Sequence, residues 1–208
     1  MIIQRNGKMA ARALYALLLA LSAGVTVGRG ASAVDNGVTV AQVSAADSTP
    51  LQMTSGLHLE LTALAICYCT GIDLIGSGHL QAGTDELLSC FANNAEFVYT
   101  FPPKYAALSF TVTGPEAFAR HVAKFYQDNG FVRTQHMVTN LRIARTGENT
   151  AIIHGSLSAV HVFPDERVFF ATATYVDTVH RLNGQWKIVH RDEPLTSLTL
   201  LPAFPIGP

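Results

Sequence analysis

Charge is scarce in this sequence. Lys and Arg number 14 against 15 Asp and Glu, together 14% of 208 residues, and the basic residues form no run. A near-neutral chain of this kind has no electrostatic footprint for nucleic acid or an anionic membrane, which argues against both as partners. Cysteine is equally sparse. Cys67, Cys69 and Cys90 are an odd set and cannot make a closed disulfide framework. Cys67 and Cys69, two apart on a predicted helix, point in different directions, so they read as core thiols rather than metal ligands. Pairing of one of them with Cys90 in an oxidising compartment is left open by the sequence. No Cys/His spacing has the form of a zinc site and no glycine-rich phosphate loop occurs, so neither a metal nor an organic cofactor is expected.

Long apolar runs are also few. "ALYALLLALSAGVTV", 15 residues from Ala13, is shorter than the ~20 a spanning helix needs. It follows Arg5, Lys8 and Arg12 and precedes Ala31-Ser32-Ala33, a small-x-small cleavage pattern. Residues 1–33 therefore read as a cleavable signal peptide, with a secreted or periplasmic mature chain beginning at Val34. No later segment is expected to span a bilayer. Residues 34–56 are small and polar without a helical stripe and read as a flexible leader. Residues 57–197 form the expected single domain.

Within that domain helices come first and strands last. "LHLELTALAICYCTGIDLI", residues 57–75, spaces Leu57, Leu61, Leu64, Ala65, Tyr68 and Ile72 as one helical face. "TDELLSCFA" predicts a second helix opening at Thr84, and "AEFVYTF", residues 95–101, a strand stopped by Pro102-Pro103. "GPEAFARHVAKFYQD" predicts a third helix with Pro115 in its first turn. Strands follow at 134–143, 150–162, 167–180 and 185–191, the last pair joined by an Asn183-Gly184 hairpin turn. Helices on one face of a single antiparallel sheet make this an α+β domain.

Two strand histidines stand out. Alternation along 150–162 puts Ile153, Leu157, Ala159 and His161 on one face and His154, Ser156 and Ser158 on the other. His161 is then the apolar-face histidine and His154 the surface one. Ala171, Ala173 and Tyr175 share a face of the next strand, and the two alanines leave room for a ligand. His79, His121, His180 and His190 read as surface or rim residues.

"LLSCFANNAEFVYTF", "GPEAFARHV", "TQHMVTN" and the closing "RLNGQWKIVHRDE" resemble the SnoaL-like branch of the NTF2-like superfamily over about residues 57–195. That resemblance implies an NTF2-like cone: a curved antiparallel sheet with three helices on one face, Trp186 and Ile188 turned to the core, and an open apolar pocket. The site residues resemble those of scytalone dehydratases, with His136 in "TQH", His161 at the matching separation, Asp73 in "GIDLIG" on the first helix and Tyr99 in "EFVYTF". The resemblance implies catalytic roles for these four. Ile72 stands where such proteins carry a tyrosine, and Tyr68, one turn earlier, can restore the phenol. Tyr68 and Asp73 also have the Y-x4-D spacing of bile-acid dehydratase-like members. Tyr175 falls at the place of a pocket Asn, and it, Tyr68 and Asn140 are the expected substrate contacts. Relatives often dimerise through the open sheet face, so a homodimer or homotrimer is expected.

Eliminating water beside a carbonyl needs a base for the α-proton, an acid for the departing hydroxyl and a donor for the enolate oxygen. Imidazole serves either proton role near neutral pH, a carboxylate orients it, and a phenol donates to an oxyanion best in a dry pocket. The expected function is a cofactor-independent dehydratase or isomerase acting on a small hydrophobic carbonyl compound, polyketide- or steroid-like. The alternative is an exported, non-catalytic binding domain that holds an apolar ligand. The tail, "LTSLTLLPAFPIGP", is too apolar for a free terminus, and its three prolines argue against an inner strand. Residues 198–208 are expected to cover the pocket as a lid or to strap across a partner subunit.

Overall fold

The computed structural model describes residues 52–203. The signal peptide and residues 34–51 of the leader lie outside the described residues, as do the last five of the tail.

Helix α1, Ser55–Gly76, starts two residues before the expected Leu57 because Thr54 caps it, its hydroxyl accepting from the Leu57 N–H at 3.2 Å. Its buried positions include Leu61, Leu64, Ala65, Tyr68, Ile72 and Ile75, the spacing of one face. Contrary to the expectation from sequence, α1 is by length and composition apolar enough to cross a membrane: 22 residues, with a mean hydropathy of 1.5 over its apolar window. Half of that window is buried inside the domain. Helix α2, Leu80–Cys90, begins four residues before Thr84. That threonine sits inside the helix with its hydroxyl donating to the Leu80 carbonyl at 2.7 Å, so it is not a cap. A disulfide joins Cys67 to Cys90 and so ties α1 to α2; Cys69 stays a buried free thiol. Helix α3, Pro115–Asn129, opens with proline and closes at Gly130, whose φ of 73° is the left-handed cap that glycine supplies.

Six strands follow the order β2-β1-β6-β5-β4-β3 in one sheet. They are β1 (Phe91–Thr100), β2 (Phe110–Thr113), β3 (Arg133–Arg145), β4 (Thr150–Val162), β5 (Val168–Leu182) and β6 (Gln185–Leu201). The fold is the expected α+β cone with a curved, unclosed sheet, and two features differ from what the sequence pattern predicts. Strand β2 was not anticipated, and β1 pairs with β6 in parallel, so the sheet is mixed rather than wholly antiparallel. Strand β6 is also longer than 185–191. Leu198, Leu200 and Leu201 pair with Ala171, Phe169 and Val168 of β5, so the first residues of the supposed lid are strand. Pairing ends at Leu201, just before Pro202.

Register shifts bend the sheet. In β3 one falls between Thr139 and Arg142, with Asn140 at φ 53°. Two more fall in the β5–β6 ladder, where Thr178 and Val179 face His190 and Ile188, and Thr172 and Ala173 face Ser197 and Leu195. An extra residue in one strand increases local twist and turns the following side chains to the other face. The core lies between the helices and the face carrying Ile153, Leu157, Ala173, Val179 and Ile188.

Candidate active site

Asp73 leaves the last turns of α1 and meets the start of β3. Its Oδ1 lies 2.7 Å from His136 Nδ1 and accepts from the Thr134 hydroxyl at 3.1 Å, while Oδ2 accepts from the His136 backbone N–H at 3.0 Å. Helix and strand approach closely enough for this because residue 76 is glycine; a Cβ there would collide with the Thr134 side chain. Three hydrogen bonds hold the carboxylate. The Nδ1 contact to a carboxylate fixes the proton on Nδ1 and leaves Nε2 as the basic nitrogen.

Strand pairing brings the second histidine beside the first. Thr134 pairs with His161 and His136 with Ala159, so the two imidazoles are diagonal neighbours on one face. Their ring centroids are 5.4 Å apart, and both line one cavity of about 480 Å³. His161 is 5% exposed and packs against Phe131, Tyr126 and Phe169. Burial, with a smaller contribution from His136 nearby, pushes its pKa down to about 3, so it is a neutral imidazole at physiological pH. Its Nδ1 has no hydrogen-bond partner.

The other wall carries the phenols. Tyr68 of α1 and Tyr99 of β1 both line the cavity, with hydroxyls 2.7 Å apart. Burial raises both pKa values well above the ordinary phenol, so both stay protonated. Tyr99 Oη in turn lies 3.2 Å from Glu193 Oε2. The rest of the surface is apolar, and Ala159, Ala171 and Ala173 line it where small side chains leave space.

Asp73, Tyr68, Tyr99, His136 and His161 thus come together, four of them on the cavity wall and Asp73 behind His136. Asn140 and Tyr175 do not join them. Asn140 is exposed at the β3 bulge and reaches Ser156 on the outer side at 3.4 Å. Tyr175 is 1% exposed, paired with Gly155, and lies against the Arg191 guanidinium at 4.4 Å, beneath the cavity rather than in it. His121 is exposed, as expected of a surface or rim residue, and lines the cavity with its ring tilted against Phe110 at 4.1 Å.

Asp177, Arg191 and Glu193 are not among the residues that the sequence pattern singles out. Arg191 holds Asp177 through two 2.7 Å bonds with both side chains fully buried, and its Nη1 lies 3.7 Å from Glu193 Oε2. Burial opposes the charge on Arg191, but Asp177 and Glu193 outweigh it and hold the guanidinium protonated. Glu193 lines the cavity, and burial raises its pKa more than Arg191 and His136 lower it. Simple alternation from Trp186 and Ile188 points Arg191 and Glu193 outward; the bulge at Val189 turns them in. Among the described residues no group of three or more His, Cys, Asp or Glu side chains is placed to hold a metal ion.

A curved sheet wrapped over helices, with an apolar cavity and polar groups on its walls, defines an NTF2-like domain. Residues 81–192, more than half of the chain, match the SnoaL-like domain, and the chain belongs to that family. The structure resembles a protein of Novosphingobium aromaticivorans provisionally named a scytalone dehydratase, at 24% identity and TM-score 0.53 over 73% of this chain and 93% of that one. It also resembles hexachlorocyclohexane dehydrochlorinase LinA-type3 of Novosphingobium barchaimii, at 18% identity and TM-score 0.57 over 74% and 95%. These likenesses are of fold. No curated protein matches the sequence.

Proposed function

We propose that this protein is a cofactor-independent lyase or isomerase acting on a small hydrophobic carbonyl compound of polyketide- or steroid-like shape. The observation that carries the reading is the Asp73–His136 contact at 2.7 Å, with the imidazole on the wall of an apolar cavity. In an elimination, His136 Nε2 takes the proton on the carbon next to the carbonyl, and Asp73 stabilises the imidazolium that forms. The electron pair moves to the carbonyl oxygen, beside which the Tyr68–Tyr99 pair sits in a site of low dielectric. The enolate then expels hydroxide, which leaves as water with the proton His136 gained. His161, neutral down to about pH 3, is not the acid; its ring forms part of the wall against which the substrate lies.

The names of the two structural relatives, a dehydratase and a dehydrochlorinase, support a reaction in which a proton and a neighbouring group leave together. The disulfide between Cys67 and Cys90 supports export to an oxidising compartment, as the basic and apolar leader suggests.

The test is a panel of hydrophobic β-hydroxy ketones followed by enone absorbance, with the wild type and His136→Gln. The proposal expects turnover of at least one member and a loss of roughly 10²–10⁴-fold in the variant. Binding of panel members without turnover by either protein would replace the lyase with a binding domain.

A further inference from the structure

Tyr68, Tyr99 and Glu193 form an unbroken polar chain on one wall of the cavity, with contacts of 2.7 and 3.2 Å. A phenol has one proton to give. A carboxylate only accepts, so an ionised Glu193 takes the proton of Tyr99, and Tyr99 oxygen in turn takes that of Tyr68. Both donors then point down the chain, and the pair offers a ligand nothing but lone pairs. A protonated Glu193 reverses the order. Its O–H donates to Tyr99, Tyr99 donates to Tyr68, and the Tyr68 O–H is released to the cavity.

We propose that Glu193 is a positioning residue that sets the direction of the tyrosine pair, and that the pair binds a carbonyl oxygen only while the Glu193 carboxyl carries a proton. The inference rests on the proposed function for the class of ligand. It goes further in making the oxyanion contact conditional on a third group.

The surroundings favour the protonated form. Glu193 is 3% exposed, and the nearest cation, Arg191, is already engaged by Asp177 on its other edge. Arg191 Nη1 approaches no closer than 3.7 Å and makes no hydrogen bond. The other titratable groups around the carboxyl are His136 on β3, Tyr68 and Cys69 on α1, Tyr99 on β1, Tyr126 on α3 and Tyr175 on β5. Burial raises the three ring hydroxyls on α1, β1 and α3, and the Cys69 thiol, so all are neutral at physiological pH. Burial likewise raises Glu193 itself.

Infrared difference spectroscopy on the disulfide-bonded protein tests this in two arms. Without ligand, a protonated-carboxyl band should be present at pH 6 in the wild type, vanish as pH rises, and be missing from Glu193→Gln. With carbonyl-labelled 1-tetralone as probe, the C=O band should be lowered in the wild type and lose that shift as the carboxyl band disappears. In Glu193→Gln, whose amide N–H donates to Tyr99 at every pH, the shift should persist throughout. Tyr68→Phe, which removes the donor facing the probe, should abolish it at every pH. An ionised Glu193 at pH 6, a wild-type shift independent of pH, or a shift that survives Tyr68→Phe would overturn the proposal. Tetralone that binds none of the three proteins would overturn both it and the carbonyl reading of the cavity. A pH-independent shift together with His136-dependent turnover would overturn only the role of Glu193.

Discussion

The Asp73–His136 and Asp177–Arg191 pairs each join a carboxylate to a basic side chain, and they behave differently. Asp73 and His136 meet at 2.7 Å with the aspartate side chain 28% exposed and the imidazole turned to a cavity. Asp177 and Arg191 meet at 2.7 Å on both arms with neither exposed, sealed by Tyr68 and Tyr175 rings at 3.7 and 4.4 Å from the guanidinium. Imidazole changes charge near neutral pH and guanidinium never does. The same pairing therefore supports proton transfer where a titratable base faces a cavity, and fixed structure where the cation is permanent and enclosed.

That contrast can be broken by removing one partner of each. Asp177→Asn should be the most damaging change, costing about 3–5 kcal/mol because it strands a buried guanidinium; chemical denaturation measures it. His161 supplies the next effect, and its direction follows from its depressed pKa. Above its ordinary value of 6.5 the neutral ring costs nothing; between 6.5 and about 3 the unfolded chain takes up a proton that the folded chain refuses. Stability should fall as pH drops through that window, by on the order of 4 kcal/mol when complete. Asp177 and Glu193, with raised values, act in the opposite sense, losing stability as pH rises, so the His161 share is read as the difference between wild type and His161→Gln melting curves. A variant with the same acid slope as the wild type would contradict the assignment.

Cys67→Ser with Cys90→Ser should cost about 3 kcal/mol, since the bridge closes a loop of 23 residues. It ties down α1, the helix that carries Tyr68 and Asp73. The smallest stability effect belongs to Asp73→Asn, at roughly 1 kcal/mol or less because the carboxylate is partly solvated. A loss equal to that of Asp177→Asn would erase the distinction between the two pairs.

The sequence carried the Asp73 side of the molecule more fully than the Arg191 side. His136, His161 and the alanines at 159, 171 and 173 lie on β4, β5 and the first part of β3, where alternation runs unbroken and parity assigns each face. Arg191 and Glu193 lie beyond the bulge at Val189, so counting by twos from Trp186 gives the wrong face for both; the second bulge, at Thr196, restores the parity for Leu198. Asn140 failed for the same reason, since it occupies the β3 bulge itself. Tyr175 has the predicted face, but Gly155 opposite leaves a hollow that its ring fills, so it packs down onto Arg191 instead of entering the cavity. The tail prolines predict an early end to the sheet, but β6 runs on until Leu201 has paired with Val168.

The central claim is that His136, oriented by Asp73, removes a proton beside a bound carbonyl. It can be tested without the natural substrate by following loss of the α-proton signals of 1-tetralone in D₂O by proton NMR. The account predicts exchange well above the buffer rate with wild-type protein, a large loss in Asp73→Asn, and buffer-level exchange in His136→Gln, while all three bind the ketone. Exchange that continues undiminished in His136→Gln would contradict it.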